Sequence, residues 1–402
     1  MSTSIPINER MFWIGVNDHD TGLFEELWPM PNGISYNSYL IKDDRVAIVE
    51  AVKSFYAVDY LDTLKALLGG KRKIDYLIIN HVEPDHSGAI KVLLEAFPGL
   101  QIIGNQKTAG LLADFYSITE NVRVVGDGDE LDLGRCKLTF FLTPMVHWPE
   151  TMMTYESTHH ILFSGDVFGG FAAVDDGLFD DEISDIHFYE EETLRYFTNV
   201  IGKYSTMVQK ALSKISSLDI GIVAPAHGPV WRKDPRRIVR LYDRWSRNET
   251  DEGVTIVYAS MYGNTEKMME AVARAIAEEH VGSISTHNLS RTHISYIIAD
   301  AWRHRALILG TPTYNMKPFP LMEHFIRVME NKGLKDRLLG IFGSYGWAGG
   351  ALKELKDFGE RMKWQLIEPV VETRGAPKAE TLAACEQLGR NIAVRLKQSV
   401  PA

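Results

Sequence analysis

The chain has 402 residues, of which 45% are hydrophobic and 24% are charged, a composition typical of a globular protein with two or three domains. Its formal net charge of −10 argues against nucleic-acid binding, because phosphate backbones are bound by positive surfaces. No apolar run reaches 18 residues and no signal peptide is evident, so we expect no membrane span. The two cysteines, Cys136 and Cys385, exclude a disulfide framework or an iron–sulfur cluster held within the chain, and they suit a cytoplasmic location.

Short apolar runs typical of strands alternate with helical segments in the first half of the chain. Strands are predicted over residues 36–41, 46–52, 76–80, 138–144 and 160–166. Apolar spacing predicts helices over 57–68 and 87–96. Several strand runs end in polar or metal-binding residues, which indicates an α/β layered domain with its chemistry at the strand ends.

A polar segment, SRNETDEG at residues 246–253, predicts a domain boundary near residue 252, and therefore domains 1–252 and 253–402. Beyond it, an apolar strand over 254–260 precedes a long helix over 265–280. Further strands are predicted within 306–315 and 337–350. This alternation predicts a doubly wound parallel sheet in the second domain.

The string NHVEPDHSG at residues 80–88 places His81, Glu83, Asp85 and His86 directly after an apolar run. A lone histidine is more often part of a core than a metal ligand, but four ionisable groups at one strand end have few structural uses. Packing these groups together without a metal would cost about several kcal/mol of folding free energy, because the charges would be desolvated and would repel one another. Three further candidates occur in similar strand-end contexts: His147, Asp166 and His227. Imidazole and carboxylate ligands together suit iron, manganese or zinc.

The segment Ser260-Met261-Tyr262-Gly263-Asn264-Thr265 follows a strand and precedes a helix. Backbone N–H groups in such a turn, together with the helix N-terminus, can cradle a phosphate. The string resembles the flavodoxin phosphate loop, with Tyr262 in place of a middle threonine. Two further strand-end loops would surround a flavin ring: Thr311, Pro312, Thr313, Tyr314 and Asn315, and then Ser344, Tyr345, Gly346, Trp347, Ala348 and Gly349. Three loops at successive carboxyl ends of parallel strands favour an FMN site.

Taken together, these motifs resemble those of the flavodiiron proteins, also called A-type flavoproteins, over nearly the whole chain. The resemblance implies an N-terminal metallo-β-lactamase-like αββα sandwich and a C-terminal flavodoxin-like domain. Hydrolases of the first fold carry H-x-H-x-D-H, and Glu83 stands here at their second histidine. The resemblance implies one iron held by His81, Glu83 and His147, another held by Asp85, His86 and His227, and Asp166 bridging the two. In some family members the histidine at the position of His86 turns away from the metal.

The resemblance also marks features around the metals. Trp148 follows His147 in a family-like string, HWPET, and Tyr196 is implied to approach the pocket. Many relatives have a histidine near the position of Glu25, so proton delivery and substrate preference are open at this point.

The implied function is a diiron flavoprotein oxidoreductase that reduces dioxygen to water, nitric oxide to nitrous oxide, or both. Its cofactors would be FMN and two non-haem iron ions, with rubredoxin or a reduced deazaflavin as electron donor. The family arrangement implies a head-to-tail homodimer or a dimer of dimers. Two alternatives stay open: a metal-dependent hydrolase fused to a flavodoxin module, and an electron carrier in which only FMN works.

Overall fold

The structure is a computed structural model that describes residues 4–69 and 73–398. Its internal contacts divide the chain into two compact units, Met1–Ser246 and Arg247–Ala402. The predicted boundary at residue 252 lies close to this division. No helix of the described ranges is long and apolar enough to cross a membrane.

The first unit is built from short strands, five of which are buried along their whole length. They are β1 (Ile5–Pro6), β2 (Met11–Trp13), β3 (Val16–Asp18), β4 (Leu23–Phe24), β5 (Trp28–Pro29), β6 (Ile34–Tyr36), β7 (Tyr39–Lys42), β8 (Val46–Val49), β9 (Tyr76–Ile78), β10 (Gln101–Gly104), β11 (Val122–Val124), β12 (Glu130–Asp132), β13 (Lys137–Leu142), β14 (Met152–Glu156), β15 (Ile161–Gly165) and β16 (Ile222–Pro225). The helices are α1 (Ala57–Leu68), α2 (Pro84–Ser87), α3 (Ile90–Ala96), α4 (Gln106–Tyr116), α5 (Ile186–Tyr196), α6 (Ser205–Ile215) and α7 (Pro235–Ser246).

Two main sheets face each other in this unit. One has the order β1-β2-β7-β8-β9-β10-β11, and the other has the order β12-β13-β14-β15-β16. Alternate residues of each sheet meet in a shared core, for example Val49 and Ile78 from the first sheet and Phe140 and Phe163 from the second. Val46 and Ile48 are also buried, on the opposite face of β8. Strands buried on both faces are continuous apolar runs, which is why the sequence pattern detects them.

The predicted elements of the first unit are largely confirmed, and two of them are interrupted. The helix over 57–68 coincides with α1. The segment 87–96 divides between the end of α2 and α3, because the Ala89 N–H donates to the backbone oxygen of Val52 at 3.0 Å and not to the preceding helical turn. The strand over 36–41 is split because Asn37 leaves the ladder and donates through Nδ2 to the backbone oxygens of Pro225 and Gly228, each at 2.9 Å.

The second unit is a doubly wound sheet, as predicted. Its strands are β17 (Asp251–Tyr258), β18 (Ile284–Asn288), β19 (His304–Tyr314), β20 (Lys317–Pro318), β21 (Leu338–Tyr345), β22 (Gln365–Leu366) and β23 (Val371–Arg374). Its helices are α8 (Asn264–Glu278), α9 (Ile294–Arg303), α10 (Pro320–Lys332), α11 (Ala351–Met362) and α12 (Ala379–Gln398). The order β18-β17-β19-β21-β22 is parallel throughout, and β23 extends it beside β21. The carboxyl ends of β17, β19 and β21 therefore lie side by side, at the edge where open parallel sheets bind ligands.

Candidate metal centre and flavin site

Seven predicted metal ligands meet at one end of the sandwich. His81, Glu83, Asp85 and His86 follow β9 of the first sheet, and Pro84 begins the single turn α2 between them. The remaining three belong to the second sheet: His147 precedes β14, while Asp166 and His227 follow β15 and β16. All seven are buried or nearly so. Chain segments from both sheets thus deliver ligands into one small volume.

Asp166 lies at the centre of this group, with one carboxylate oxygen towards each half. Its Oδ2 is 3.0 Å from Nε2 of His147 and 3.5 Å from Nε2 of His81. Its Oδ1 is 2.9 Å from Nε2 of His86 and 3.5 Å from Nε2 of His227. Two donors bound side by side on one ion at about 2.1 Å lie about 3 Å apart, so these spacings match the edges of two metal polyhedra that share a carboxylate.

The other two carboxylates complete the halves. Glu83 Oε2 is 3.0 Å from Nε2 of His81 and 3.2 Å from Nε2 of His147. Asp85 Oδ2 is 3.3 Å from Nε2 of His227. His86 faces into the centre, with its Nε2 3.5 Å from Asp85 Oδ1. We call the two halves the first set, His81, Glu83 and His147, and the second set, Asp85, His86 and His227.

Several polar atoms of this centre lack hydrogen-bond partners and are placed where they could bind metal ions. Within residues 4–69 and 73–398, no hydrogen-bond partner is found for Nε2 of His86 or His227, for either carboxylate oxygen of Asp85, or for Oδ1 of Asp166. Neighbouring members of this group lie 2.9–3.5 Å apart without forming hydrogen bonds. Leaving that many buried polar atoms unpaired is costly, and ions between them would satisfy all of them.

Without ions, the carboxylates hold protons on the imidazoles. Burial lowers the pKa of His147, but hydrogen bonds to Asp166 and Glu83 outweigh it and raise that pKa to about 9. Burial also lowers the pKa of His227, and its contacts with Asp166 and Asp85 raise it to about 10. Burial favours the neutral acid at Asp166, yet the neighbouring imidazoles hold its pKa well below the usual range. Since metal ligands must be unprotonated, ions entering this centre displace protons.

In the second unit, the predicted phosphate loop has the conformation its sequence requires. Gly263 has φ +81°, in the left-handed region, and helix α8 begins at the next residue. Ser260 Oγ accepts a hydrogen bond from the Gly263 N–H at 3.1 Å. Thr265 and Ser344 lie within hydrogen-bond distance, 3.0 Å between their hydroxyl oxygens, so the first and third flavin loops touch. The loop thus presents a helix N-terminus suited to an anion.

A cavity of about 470 Å³ lies between the three flavin loops. Twelve of its lining residues are predicted: Met261, Tyr262, Asn264, Pro312, Thr313, Tyr314, Asn315, Ser344, Tyr345, Gly346, Trp347 and Ala348. Met316 and Gly375 also line it and were missed. Five other predicted residues do not line the cavity but belong to the loops that shape it: Ser260, Gly263, Thr265, Thr311 and Gly349.

Comparison with known proteins agrees with the two-domain fold. A family model described as ODP family beta lactamase matches residues 34–228, and a flavodoxin model matches 256–389. The nitric oxide reductase of Moorella thermoacetica is 32% identical over 98% of this chain and 100% of its own. A mutant of the flavo di-iron protein from Thermotoga maritima is 30% identical, with a TM-score of 0.90 over 98% of each chain. The chain belongs to the flavodiiron family.

The structure of rubredoxin oxygen:oxidoreductase from Desulfovibrio gigas is also similar, with a TM-score of 0.94, 26% identity and full coverage of both chains. The predicted fold is therefore confirmed: a β-lactamase-like sandwich followed by a flavodoxin-like sheet. The predicted cofactors, FMN and a diiron centre, are confirmed with it. The assignment of individual ligands remains a proposal.

Around the metal centre of this flavodiiron protein, two contacts orient the ligands from behind. Nδ1 of His81 is 2.6 Å from Oε1 of the buried Glu150. Nδ1 of His227 is 2.7 Å from the backbone oxygen of Ser35. Each contact places the ring proton on Nδ1 and leaves Nε2 available to a metal. Sequence reasoning missed both; the one available signal was that Glu150 follows His147 in HWPET.

Aromatic side chains enclose the centre. The ring of Trp148 meets the ring of His81 edge-on, with 5.0 Å between centroids. The ring of Tyr196 lies 5.6 Å from that of His227, and its buried hydroxyl finds no hydrogen-bond partner in the described ranges. Phe24 lies 5.8 Å from the same histidine. The expected approach of Trp148 and Tyr196 to the pocket agrees with these positions.

Proposed function

We propose that this flavodiiron protein reduces dioxygen to water, nitric oxide to nitrous oxide, or both, at a diiron centre supplied with electrons through FMN. The observation that carries the proposal is the position of Asp166, whose two oxygens each face one complete ligand set. Two such sets around one carboxylate form a pocket in which a diatomic molecule can meet two ions.

The ligand roles follow from the two halves. The first set, with Oδ2 of Asp166, would hold one iron, and the second set, with Oδ1, would hold the other. When bound, two ferrous ions and reduced FMN supply four electrons, which suffices to take dioxygen to two waters, whereas two nitric oxide molecules need only two. The negative charge of Asp166 offsets the repulsion between the two cations.

Protein groups around the centre exclude water and hold protons. Trp148, Phe24 and Tyr196 present ring edges or faces to the ligand histidines and leave little room for solvent. Burial keeps the pKa of Tyr196 well above its usual range, so its hydroxyl stays protonated. A protonated, unpaired hydroxyl beside the second set can donate a hydrogen bond to a small bound molecule.

For FMN, the phosphate would lie at the turn formed by Ser260 to Thr265, at the start of α8. The ring would occupy the cavity edged by Tyr345 and Trp347. The isoalloxazine is an electron carrier whose potential depends on such neighbours.

The substrate choice rests on relatives. One is named a nitric oxide reductase, and another is a rubredoxin oxygen:oxidoreductase. We propose rubredoxin or a reduced deazaflavin as the external electron donor; one similar protein is named a rubredoxin oxygen:oxidoreductase. We also propose a cytoplasmic location and a head-to-tail homodimer, or a dimer of dimers, in which the FMN of one protomer serves the irons of its partner.

The hydrolase alternative is disfavoured by Glu83. Its Oε2 lies within 3.2 Å of two imidazoles of the first set, which gives that metal a hard anionic donor where a hydrolase has a histidine. Hard oxygen donors favour iron over zinc in a mixed site.

The test is product analysis. Iron-replete protein is reduced anaerobically and given a known amount of dioxygen, and oxygen consumption and hydrogen peroxide are both quantified. Consumption with little peroxide supports four-electron reduction at the diiron centre. Peroxide equal to the oxygen consumed indicates flavin autoxidation and contradicts oxygen reductase activity. Nitrous oxide formation from nitric oxide is measured in parallel. If the protein reduces neither dioxygen nor nitric oxide at the metal centre, the hydrolase alternative is favoured.

A further inference from the structure

Glu25 lies in the short loop between β4 and β5, at the mouth of the metal centre. Both Glu25 and its neighbour Glu26 adopt the left-handed backbone region, with φ of 50° and 54°. This region is unfavourable for residues that carry a Cβ, and proteins usually place glycine or asparagine there. Two consecutive left-handed residues are typical of a tight turn between antiparallel strands, so the β4–β5 hairpin fixes the point from which the Glu25 side chain extends.

The carboxylate of Glu25 points at the first set. Three potential ligand atoms lie within 4.8 Å of one another here: a carboxylate oxygen of Glu25, a carboxylate oxygen of Glu83 and a ring nitrogen of His147. On its other side, the indole Nε1 of the buried Trp28 donates a hydrogen bond to Glu25 Oε2 at 3.2 Å. Glu25 is therefore held by a rigid aromatic neighbour, with its charge beside two residues of the metal centre.

We propose that Glu25 is a further ligand of the ion held by His81, Glu83 and His147, an inference that rests on the proposed ligand sets. Donors that share an ion at about 2.1 Å can lie up to about 4.2 Å apart, so a small movement of the glutamate side chain completes the contact. The surface loop that carries Glu25 can make that movement more easily than the buried strand ends can.

The consequence is two unequal metals. The first ion would gain another carboxylate, whereas among the described residues the group formed by Asp85, His86 and His227 includes no acid besides Asp85. Added negative charge stabilises the more highly charged state of an ion, so the first metal should be the easier one to oxidise.

Glu26 provides a matched control. It has the same side chain, the same left-handed backbone and an exposed position, but it belongs to no group of metal-binding side chains in the described ranges. Glu25 is exposed as well, so Glu25→Gln and Glu26→Gln differ in whether the lost charge faces the first set and in the contact with Trp28.

The experiment titrates metal-stripped, FMN-loaded protein with Co²⁺, whose visible absorption reports the number and type of its ligands. Wild type and Glu26→Gln should bind two ions per chain with the same spectra. Glu25→Gln should bind two ions, with one affinity lowered at least about tenfold, since losing even an outer-shell partner of a ligand costs about 10–100-fold. Its absorption should change for that ion alone.

Identical affinities and spectra in all three proteins would overturn the proposal and leave Glu25 as a hydrogen-bond partner of Trp28. A wild-type protein that binds fewer than two Co²⁺ ions would instead contradict the ligand sets themselves, and the proposal would fall with them. FMN content and thermal unfolding report whether each variant is folded. If Glu25→Gln does not fold, Glu25→Asp keeps the charge but shortens the side chain, and an unshifted Co²⁺ spectrum in that variant would refute direct ligation.

Discussion

Replacing Glu150 with glutamine should weaken one metal of the diiron centre and leave the other nearly unchanged. The carboxylate is buried, and its Oε1 accepts both the contact from Nδ1 of His81 at 2.6 Å and the Val82 N–H at 3.0 Å. Burial raises the pKa of Glu150, but the contact with His81 outweighs it and holds the pKa below its usual value. Glu150 is therefore an ionised partner that makes His81 a stronger metal ligand.

The expected magnitude follows from the loss of that charge. A glutamine oxygen can still accept both hydrogen bonds, so the ring orientation of His81 is kept and only the negative charge is lost. Removing such a partner costs about 10–100-fold in metal affinity, or about 1.4–2.8 kcal/mol. The second metal should keep its affinity, because His227 is oriented by the backbone oxygen of Ser35 instead.

An anaerobic Fe²⁺ titration against a coloured competing chelator resolves the two affinities. Glu156→Gln is the control, since Glu156 is also fully buried in the second sheet but accepts hydrogen bonds only in the turn after β14. Equal weakening of both sites, or none, in Glu150→Gln would refute the reasoning. Weakening in Glu156→Gln would show that any buried glutamate of this sheet has the same effect.

Four further changes test other parts of the structure. Asp166→Asn removes the negative charge that faces four imidazoles. Metal analysis should then find one iron or none per chain in place of two, with the FMN content unchanged. Two tightly held irons would contradict the bridging role. Trp347→Ala, at a side chain 88% exposed beside the flavin cavity, should keep iron but weaken FMN binding about 2- to 10-fold in a fluorescence titration, and an unchanged affinity and potential would argue against a flavin contact. Arg337→Met should lower the free energy of unfolding of the second unit, measured by urea denaturation, by about 2–4 kcal/mol. The buried guanidinium donates to three backbone carbonyls, which would lose their hydrogen-bond partner. Arg337→Lys should recover part of the loss. Burial lowers the pKa of His304, so the folded state binds fewer protons than the unfolded state, and the free energy of unfolding falls as the pH drops below about 6.5. His304→Gln should flatten this pH dependence in urea unfolding between pH 7 and 5. An unchanged slope would be evidence against this role of His304.

The sequence predicted what depends on local pattern. The seven candidate ligands could be singled out because each follows or precedes an apolar strand, and the structure brings their side chains together. The flavin loops could be found for the same reason, since the turn at Gly263 and the ends of β19 and β21 are local features.

Contacts between distant parts of the chain were not predictable in this way. Glu150 reaches His81 across 69 residues, and the Ser35 carbonyl reaches His227 across 192. Gly375 enters the flavin cavity from the end of β23, a strand without a clear apolar run. The break at Asn37 likewise depends on distant carbonyls, that of Pro225 at the end of β16 and that of Gly228 just after it. Such pairings are set by tertiary packing, which no local pattern reports.

Each ligand set draws residues from both sheets of the sandwich, so each ion would tie the two layers together as a cross-link does. Ions that bind only the folded state add stability by mass action, about 2.7 kcal/mol for each site when free iron exceeds the dissociation constant 100-fold. Iron supply and the folded population of this unit are then linked quantities. When iron is scarce, the enzyme loses not only its catalytic ions but also part of what keeps its sheets together, and the iron-free chain becomes the form most open to proteolysis.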